Sequence, residues 1–223
     1  METCSAMFRF KHGLKIFVIL LTIFSCAAAS QAAGLNAAHH IQVELVPDEM
    51  RLNGRDDITI QTHGIQVLEF RLSERISQLK VEVNQNPRNF NFENGRLGLN
   101  LEVDEQFHDV QVSIHYSAIF DDPVPVRPVN TDNPGFGVTA TISQKGSFLL
   151  AGAGWYPELV DSVATYWVEV SAPAGLIAVT AGRSLGHVTE NGKTVSAWEV
   201  NYPVEGLSLS VARYELEKNR WAR

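Results

Sequence analysis

The chain has 223 residues, two cysteines and a formal net charge of −7 at neutral pH. No basic run is present to meet a phosphate backbone, so nucleic acid is excluded as an expected partner. Both cysteines, Cys4 and Cys26, lie before residue 34, so the rest of the chain has to be held together by its core, without disulfides. About 190 residues suffice for one such domain.

The first 33 residues have the pattern of a secretory signal peptide. Basic side chains up to Lys15 precede an apolar run, and small residues follow it. The apolar run is shorter than the roughly 20 residues that a membrane-spanning helix needs. We therefore expect a signal-peptide helix over 1–33, cleaved after Ala29, Ala32 or Ala33, and a chain exported to the periplasm or secreted.

Residues 23–26 leave a second, less favoured outcome for this segment. Their sequence, ending in Cys26, faintly resembles a bacterial lipoprotein box. Lipidation at Cys26 would anchor the chain to a membrane. Bulky Phe24 stands close to the small position that such a box normally requires, so we favour the soluble exported form, with no membrane span in the mature chain.

The remainder of the chain is dominated by alternation of apolar and polar residues. Clear examples are 41–45, 58–60, 68–72 and 110–114. Strict alternation buries one face of a strand and exposes the other. No amphipathic helix of ten or more residues is found, only a brief helical turn near 102–105. We predict a single all-β domain over 34–214, an antiparallel β-sandwich, followed by a C-terminal tail over 215–223.

Turn residues separate the predicted strands. Asn53-Gly54, Asn94-Gly95 and Asn191-Gly192 each stand between two alternating segments. Asn-Gly tolerates the positive φ angles of a two-residue hairpin, so we predict three hairpins, the first between the first two strands. The proline-rich stretch 121–134 predicts instead a long surface loop between two strand-rich halves.

Three sets of residues have some features of catalytic or metal sites. Residues 182–186 match the G-x-S-x-G pattern of serine hydrolases around Ser184, but a hairpin rather than the required helix follows them. The histidines are scattered, and His115 lies at a polar position of an alternating strand. Asp121 and Asp122 are too close together to flank a substrate. The sequence therefore predicts no catalytic residue, no metal site and no cofactor.

Two aromatic residues follow a glycine-rich segment at 151–154. Aromatic side chains at the end of such a loop either form a recognition surface or plug the end of a sandwich. We assign Trp155 to packing. Tyr156 stays open between packing and a binding role.

Segments that are each weakly characteristic follow one another in a fixed order: 40–47, 52–60, 68–72, 110–116, 148–157, 166–173, 179–182, Trp198, 207–209 and Tyr214. This ordered series resembles the N-terminal region of the aminopeptidase N-type zinc metallopeptidases. The resemblance implies a saddle-like β-domain that is not itself catalytic. In that family the domain docks on a thermolysin-like zinc domain and helps to wall its substrate cleft, and the resemblance implies the same role here.

The family's Gly-Ala-Met-Glu-Asn and His-Glu-x-x-His motifs are absent from this sequence. A zinc peptidase needs such ligands and a base to activate water, so we expect no activity of the chain alone. In many members a Thr-Gln pair contributes to holding the substrate's free amine. Ser143-Gln144 is the nearest equivalent here, which makes Gln144 a candidate binding residue, with a plain loop residue as the alternative.

Three functions follow as hypotheses. The first is an exported non-catalytic module that associates with a zinc-peptidase catalytic chain or domain, including the case of an interrupted gene. The second is a free-standing envelope binding protein, which predicts an exposed aromatic patch around Tyr156 or the proline-rich loop. The third is an enzyme with a site built across strands, which predicts a polar pocket with converging His or Asp side chains and perturbed pKa values.

Overall fold

The computed structural model describes residues 35–124 and 137–215. The predicted signal peptide with Cys26, the centre of the proline-rich loop and the tail beyond residue 215 lie outside these residues. Within them, no helix is long and apolar enough to cross a membrane.

The described residues form sixteen strands and two short 3₁₀ turns, so the all-β prediction is confirmed. The strands are β1 (Leu35–Val46), β2 (Arg51–Gln61), β3 (Val67–Arg71), β4 (Ile76–Val83), β5 (Asn86–Pro87), β6 (Asn91–Glu93), β7 (Arg96–Asn100), β8 (Asp109–Ile119), β9 (Ala140–Ser143), β10 (Gly146–Leu149), β11 (Glu158–Leu159), β12 (Ser162–Pro173), β13 (Ile177–Val179), β14 (Arg183–Glu190), β15 (Lys193–Val204) and β16 (Leu209–Ala212). The 3₁₀ turns are Pro47–Glu49 and Glu105–Phe107, the latter close to the predicted helical turn.

The strands form three sheets. The largest has eight strands in the order β14-β15-β12-β1-β2-β8-β4-β5, and the others have four strands each, β13-β16-β10-β9 and β11-β3-β7-β6. Neighbouring strands are antiparallel throughout, except that β1 and β12 run parallel. The predicted antiparallel architecture therefore holds with one parallel pair near the middle of the large sheet.

Alternation decides which side chains of the large sheet are buried. Tyr166, His39, Ile58 and Val112 are in register across β12, β1, β2 and β8. All four are buried, whereas their neighbours along each strand are more exposed. One face of the sheet thus packs into the core and the other faces solvent, as period-two patterning requires.

Two of the three predicted hairpins are confirmed. Asn94 and Gly95 join β6 to β7 with φ angles of 50° and 73°, and Asn191 and Gly192 join β14 to β15 with φ angles of 52° and 77°. Positive φ at both central residues is the geometry that matches the twist of a two-residue hairpin.

The predicted hairpin at Asn53-Gly54 is wrong. Asn53 and Gly54 lie inside β2, and the chain instead turns through Pro47–Glu49, with Met50 in the left-handed region at φ 52°. Gly54 serves a long-range contact rather than a turn. A Cβ at Gly54 would lie 2.2 Å from the ring of Tyr116 on β8, so the missing side chain makes room for that ring.

We predict that Gly54→Ala destabilises the domain by about 1–3 kcal/mol, because the added methyl group displaces the Tyr116 ring. The matched control is Gly98→Ala in β7, where a Cβ would meet nothing within 4 Å. That change should be neutral or slightly stabilising. Urea unfolding of both variants measures the difference, and equal free energies of unfolding would contradict the contact.

Candidate functional site

Trp155 and Tyr156 lie in the interior, each with no exposed surface. The Trp155 Nε1–H donates a hydrogen bond of 2.9 Å to the carbonyl oxygen of Leu207, and the Leu207 N–H donates one of 3.1 Å to the Tyr156 hydroxyl. The two rings meet edge to face at 4.7 Å. Together they hold the chain just before β16, so the packing role predicted for Trp155 agrees with its position.

Tyr156 does not provide the exposed aromatic surface that the envelope-binding hypothesis needs. Its ring contacts His39 edge to face at 6.1 Å and Tyr166 at 5.8 Å. Burial raises the pKa of its hydroxyl far above the usual value, and the nearby Tyr166 and Glu158 groups add to that shift. The Tyr156 side chain has no exposed surface in this conformation. Its binding role is not tested by this burial alone and stays a prediction.

A buried histidine–aspartate pair lies beside these aromatic rings. His39 Nδ1 and Asp56 Oδ2 are 2.6 Å apart, and both side chains are almost completely buried. They project from the core faces of β1 and β2. Tyr166 of β12 stacks on the imidazole, with ring centroids 5.0 Å apart. A buried carboxylate is tolerated when a charged or strongly polar group is hydrogen-bonded to it.

Two polar atoms at or near the His39–Asp56 pair have no hydrogen-bond partner in the part of the chain that the structure describes. Among the described residues, Asp56 Oδ1 and the Tyr116 hydroxyl are buried without a hydrogen-bond partner. Burial raises the pKa of Tyr116 well above its ordinary value, and the Asp56 carboxylate raises it further. Such leftover groups cost free energy, so the core near Asp56 is less completely satisfied than the purely apolar region around it.

Glu158 borders the same cluster. Burial raises its pKa above the usual value, although the Gly152 N–H, which donates to Oε1 at 3.0 Å, and the charge of Arg71 oppose the shift. The third hypothesis called for His or Asp side chains that converge in a polar pocket, whereas His39 and Asp56 meet in the interior, where both are almost completely buried. Tyr166, which stacks on the imidazole, and Tyr156, which meets it edge-on, cover the His39 side chain in this conformation.

Gln144 lies elsewhere and shares no contact with Tyr156. Its side-chain N–H donates to the Asp48 carboxylate across 96 positions of sequence. Both line a small cavity of about 190 Å³, whose other walls are Pro47, Pro173, Ala174, Leu176 and Arg213. A carboxylate and an amide oxygen suit a cationic group, and a guanidinium suits an anionic one. The cavity therefore presents groups for both ends of a small zwitterion.

The Asp122 carboxylate is hydrogen-bonded to residues on the far side of the proline-rich loop and to Arg75. Its Oδ2 accepts hydrogen bonds from the Thr139 and Ala140 backbone N–H groups, at 2.8 and 2.9 Å, and from the Thr139 hydroxyl, while Arg75 donates to Oδ1 at 2.6 Å. Burial alone would raise the pKa of Asp122, but these donors outweigh it and hold the pKa well below the usual range. The carboxylate joins the two sides of the proline-rich loop.

The remaining candidates are not assembled into a site. Ser184 is exposed on β14, which continues into a hairpin rather than a helix. His115 lies on the solvent-facing side of β8, half-buried. Within residues 35–124 and 137–215, no three His, Cys, Asp or Glu side chains are placed to hold a metal ion.

The comparisons with known proteins concern the fold. No family model matches the sequence. No curated protein matches it either. Among solved structures, a mutant M1 zinc metallopeptidase from Deinococcus radiodurans bound to a Tyr-Ser-Ala substrate matches with a TM-score of 0.56 and 20% identity. The match covers 79% of this chain and 42% of that chain. The domain has the fold of part of an M1 zinc metallopeptidase.

Two further structures agree. An M1 zinc metallopeptidase from the same organism matches with a TM-score of 0.56 at 19% identity, and a two-domain M1 mutant bound to L-arginine matches with 0.56 at 20%. Both matches again cover 79% of this chain and 42% of the other. This chain thus spans less than half the length of the structures it matches, and the family resemblance seen in the sequence is confirmed at the level of the fold.

We predict that Trp155→Ala lowers the free energy of unfolding by about 3–5 kcal/mol, because it empties a fully buried site. The matched control is Trp167→Ala. Trp167 is 40% exposed on the outer face of β12, so its removal should cost less than about 1 kcal/mol. Chemical denaturation followed by circular dichroism gives both values. Equal losses would show that Trp155 is not a core residue.

We predict that Asp122→Asn reduces the loss of unfolding free energy that the wild-type domain shows as the pH falls. Because the folded-state pKa of Asp122 is depressed, its contribution is complete above the ordinary Asp pKa of about 4 and is lost as pH falls through the folded value. The variant should lose about 1 kcal/mol at pH 7 and less below pH 4. Asp121→Asn is the control, and parallel curves for wild type and Asp122→Asn would contradict the assignment.

Proposed function

We propose that the chain is an exported, non-catalytic β-module that associates with a zinc-peptidase catalytic chain or domain and contributes to peptide processing. The observation that carries the proposal is the match of 79% of this chain to 42% of an M1 zinc metallopeptidase bound to a peptide substrate. Among the described residues, no three side chains are placed to hold a metal ion. In this proposal the partner supplies the zinc.

The small cavity gives the module a part in substrate binding. In this proposal Asp48 and the Gln144 amide oxygen face the free amine of a peptide, in keeping with the role that the family resemblance implies for Gln144. The Gln144 N–H already donates to Asp48, which orients the amide so that its oxygen is left to accept from the ammonium group. In this proposal the signal-like residues 1–33 direct the module out of the cytoplasm.

The test is to isolate the tagged chain from its own cells after mild cross-linking and to assay zinc and aminoacyl-reporter hydrolysis. We expect both in the isolated assembly, together with a protein carrying a His-Glu-x-x-His motif, and neither in the chain purified alone. Stoichiometric zinc and hydrolysis by the chain alone would overturn the proposal. A partner without zinc or peptidase activity would favour the envelope-binding function.

Within that assembly, Gln144→Ala should raise KM for Tyr-Ser-Ala about fivefold, because one hydrogen bond to the ammonium group, worth about 1 kcal/mol, is lost. Gln111→Ala on the outer face of β8 is the matched control. An unchanged KM for Gln144→Ala would remove this cavity from the substrate site and leave the association itself intact.

A further inference from the structure

The strand β14 forms a long, open sheet edge. All eight of its residues are exposed, and it pairs only with β15 among the described strands. The other strands at sheet edges, β5, β6, β9, β11 and β13, have two to four residues. At the opposite edge of the large sheet, Pro87 in β5 removes a backbone donor. Short strands and proline are the usual protection of an edge, and β14 has neither.

Contacts with β15 fix which way the β14 side chains point. Arg183 is ion-paired with Glu199 on the outer face, and the hydroxyls of Thr189 and Thr194 meet at 2.9 Å on the inner face. The register with β15 shifts between Ser184 and Gly186, so the intervening residue of this bulge drops out of the alternation. Arg183, Gly186, Val188 and Glu190 therefore share the outer face, and Ser184, His187 and Thr189 share the inner one.

This pattern is self-complementary about His187. When a second β14 is laid antiparallel with His187 on the two-fold axis, Arg183 lies opposite Glu190 of the second copy on the outer face. Ser184 lies opposite Thr189 on the inner face. The bulge lies opposite Val188, which is 67% exposed. A Cβ at Gly186 would meet nothing within 4 Å, so there is room for that side chain.

We propose that β14 pairs antiparallel with β14 of a second copy of this chain, so that the large sheet continues across a homodimer. Such an interface is isologous, since each copy contributes the same patch. Opposite charges directly across a strand pair favour the register, and like charges there disfavour it. The ends of β14 carry one charge of each sign, which selects the antiparallel arrangement with His187 at the centre.

The test uses two charge-reversed variants of the full chain, Arg183→Glu and Glu190→Arg. Each variant alone places like charges at both ends of the interface, and its dimer should dissociate at least about tenfold more readily than wild type. An equimolar mixture restores two opposite-charge pairs in the heterodimer and should recover association. Glu74→Arg, in an exposed turn away from β14, is the control and should dimerise like wild type. Sedimentation velocity over a concentration series measures all five samples, wild type included.

Amide hydrogen exchange measures directly whether β14 is covered in the dimer. Amides of β14 should become protected as wild-type concentration rises, and should lose that protection in each single variant. A chain that stays monomeric at millimolar concentration overturns the proposal. Protection of β14 that does not depend on concentration overturns it as well, because a segment of the same chain would then cover the edge. If Arg183→Glu and Glu190→Arg both dimerise as tightly as wild type, the interface lies elsewhere and the proposal is wrong.

Discussion

A buried carboxylate at the middle of the large sheet constrains the rest of the fold. Asp56 has no exposed surface and lies on a face that is otherwise almost wholly apolar. Its stability depends on His39, 17 positions earlier in the sequence. Sliding β1 against β2 by one residue would turn His39 to the solvent side and leave the acid unpaired, so this one contact specifies the register of the two strands.

The aromatic residues extend that constraint beyond the two strands. Tyr166 covers the imidazole from the parallel strand β12, and Tyr156 closes it from the segment that follows β10. Tyr156 in turn receives the Leu207 N–H, while Trp155 donates to the Leu207 carbonyl. A single segment therefore links the large sheet to the chain entering the sheet that holds β16, with two directional hydrogen bonds.

Gly154 explains how that segment comes so close to its neighbours. A Cβ there would lie 2.2 Å from the backbone nitrogen of Ser73, and the Ser73 N–H donates to the Gly154 carbonyl at 2.9 Å. With φ at 67°, the residue also adopts a conformation that glycine reaches without strain. The glycine-rich stretch 151–154 is thus a tight packing element that delivers Trp155 and Tyr156 to the core.

Much of the fold was predictable from alternation, since each strand carries its own burial pattern. The His39–Asp56 pair is not evident from the sequence, because β1 begins at Leu35, whereas clear alternation of apolar and polar residues begins only at Ile41. Asp56 had a signal, as it occupies an inward position between Gly54 and Ile58. The Asn53-Gly54 turn signal conflicts with it, because a turn there would place Asp56 at the very start of a strand and not inside one.

Long-range contacts account for the other failures of sequence reasoning. The role of Gly54 depends on Tyr116, which the local turn signal does not contain. The Gln144 cavity depends on Asp48, 96 positions away, and on Arg213 near the end of the described chain. The family resemblance made Gln144 a candidate for holding a substrate's free amine, but its contact with Asp48 appears only where the end of β9 meets the turn after β1.

The hydrogen bonds of Asp122 have a consequence for the loop between residues 122 and 139. Because Arg75, Thr139 and Ala140 secure that carboxylate, the chain on the two sides of this loop is held together at Asp122 itself. Lengthening a closed loop costs only about 0.6 kcal/mol for each doubling. A longer loop between Asp122 and Thr139 is therefore expected to cost the domain little free energy of unfolding, which makes this loop a suitable place to insert a recognition peptide.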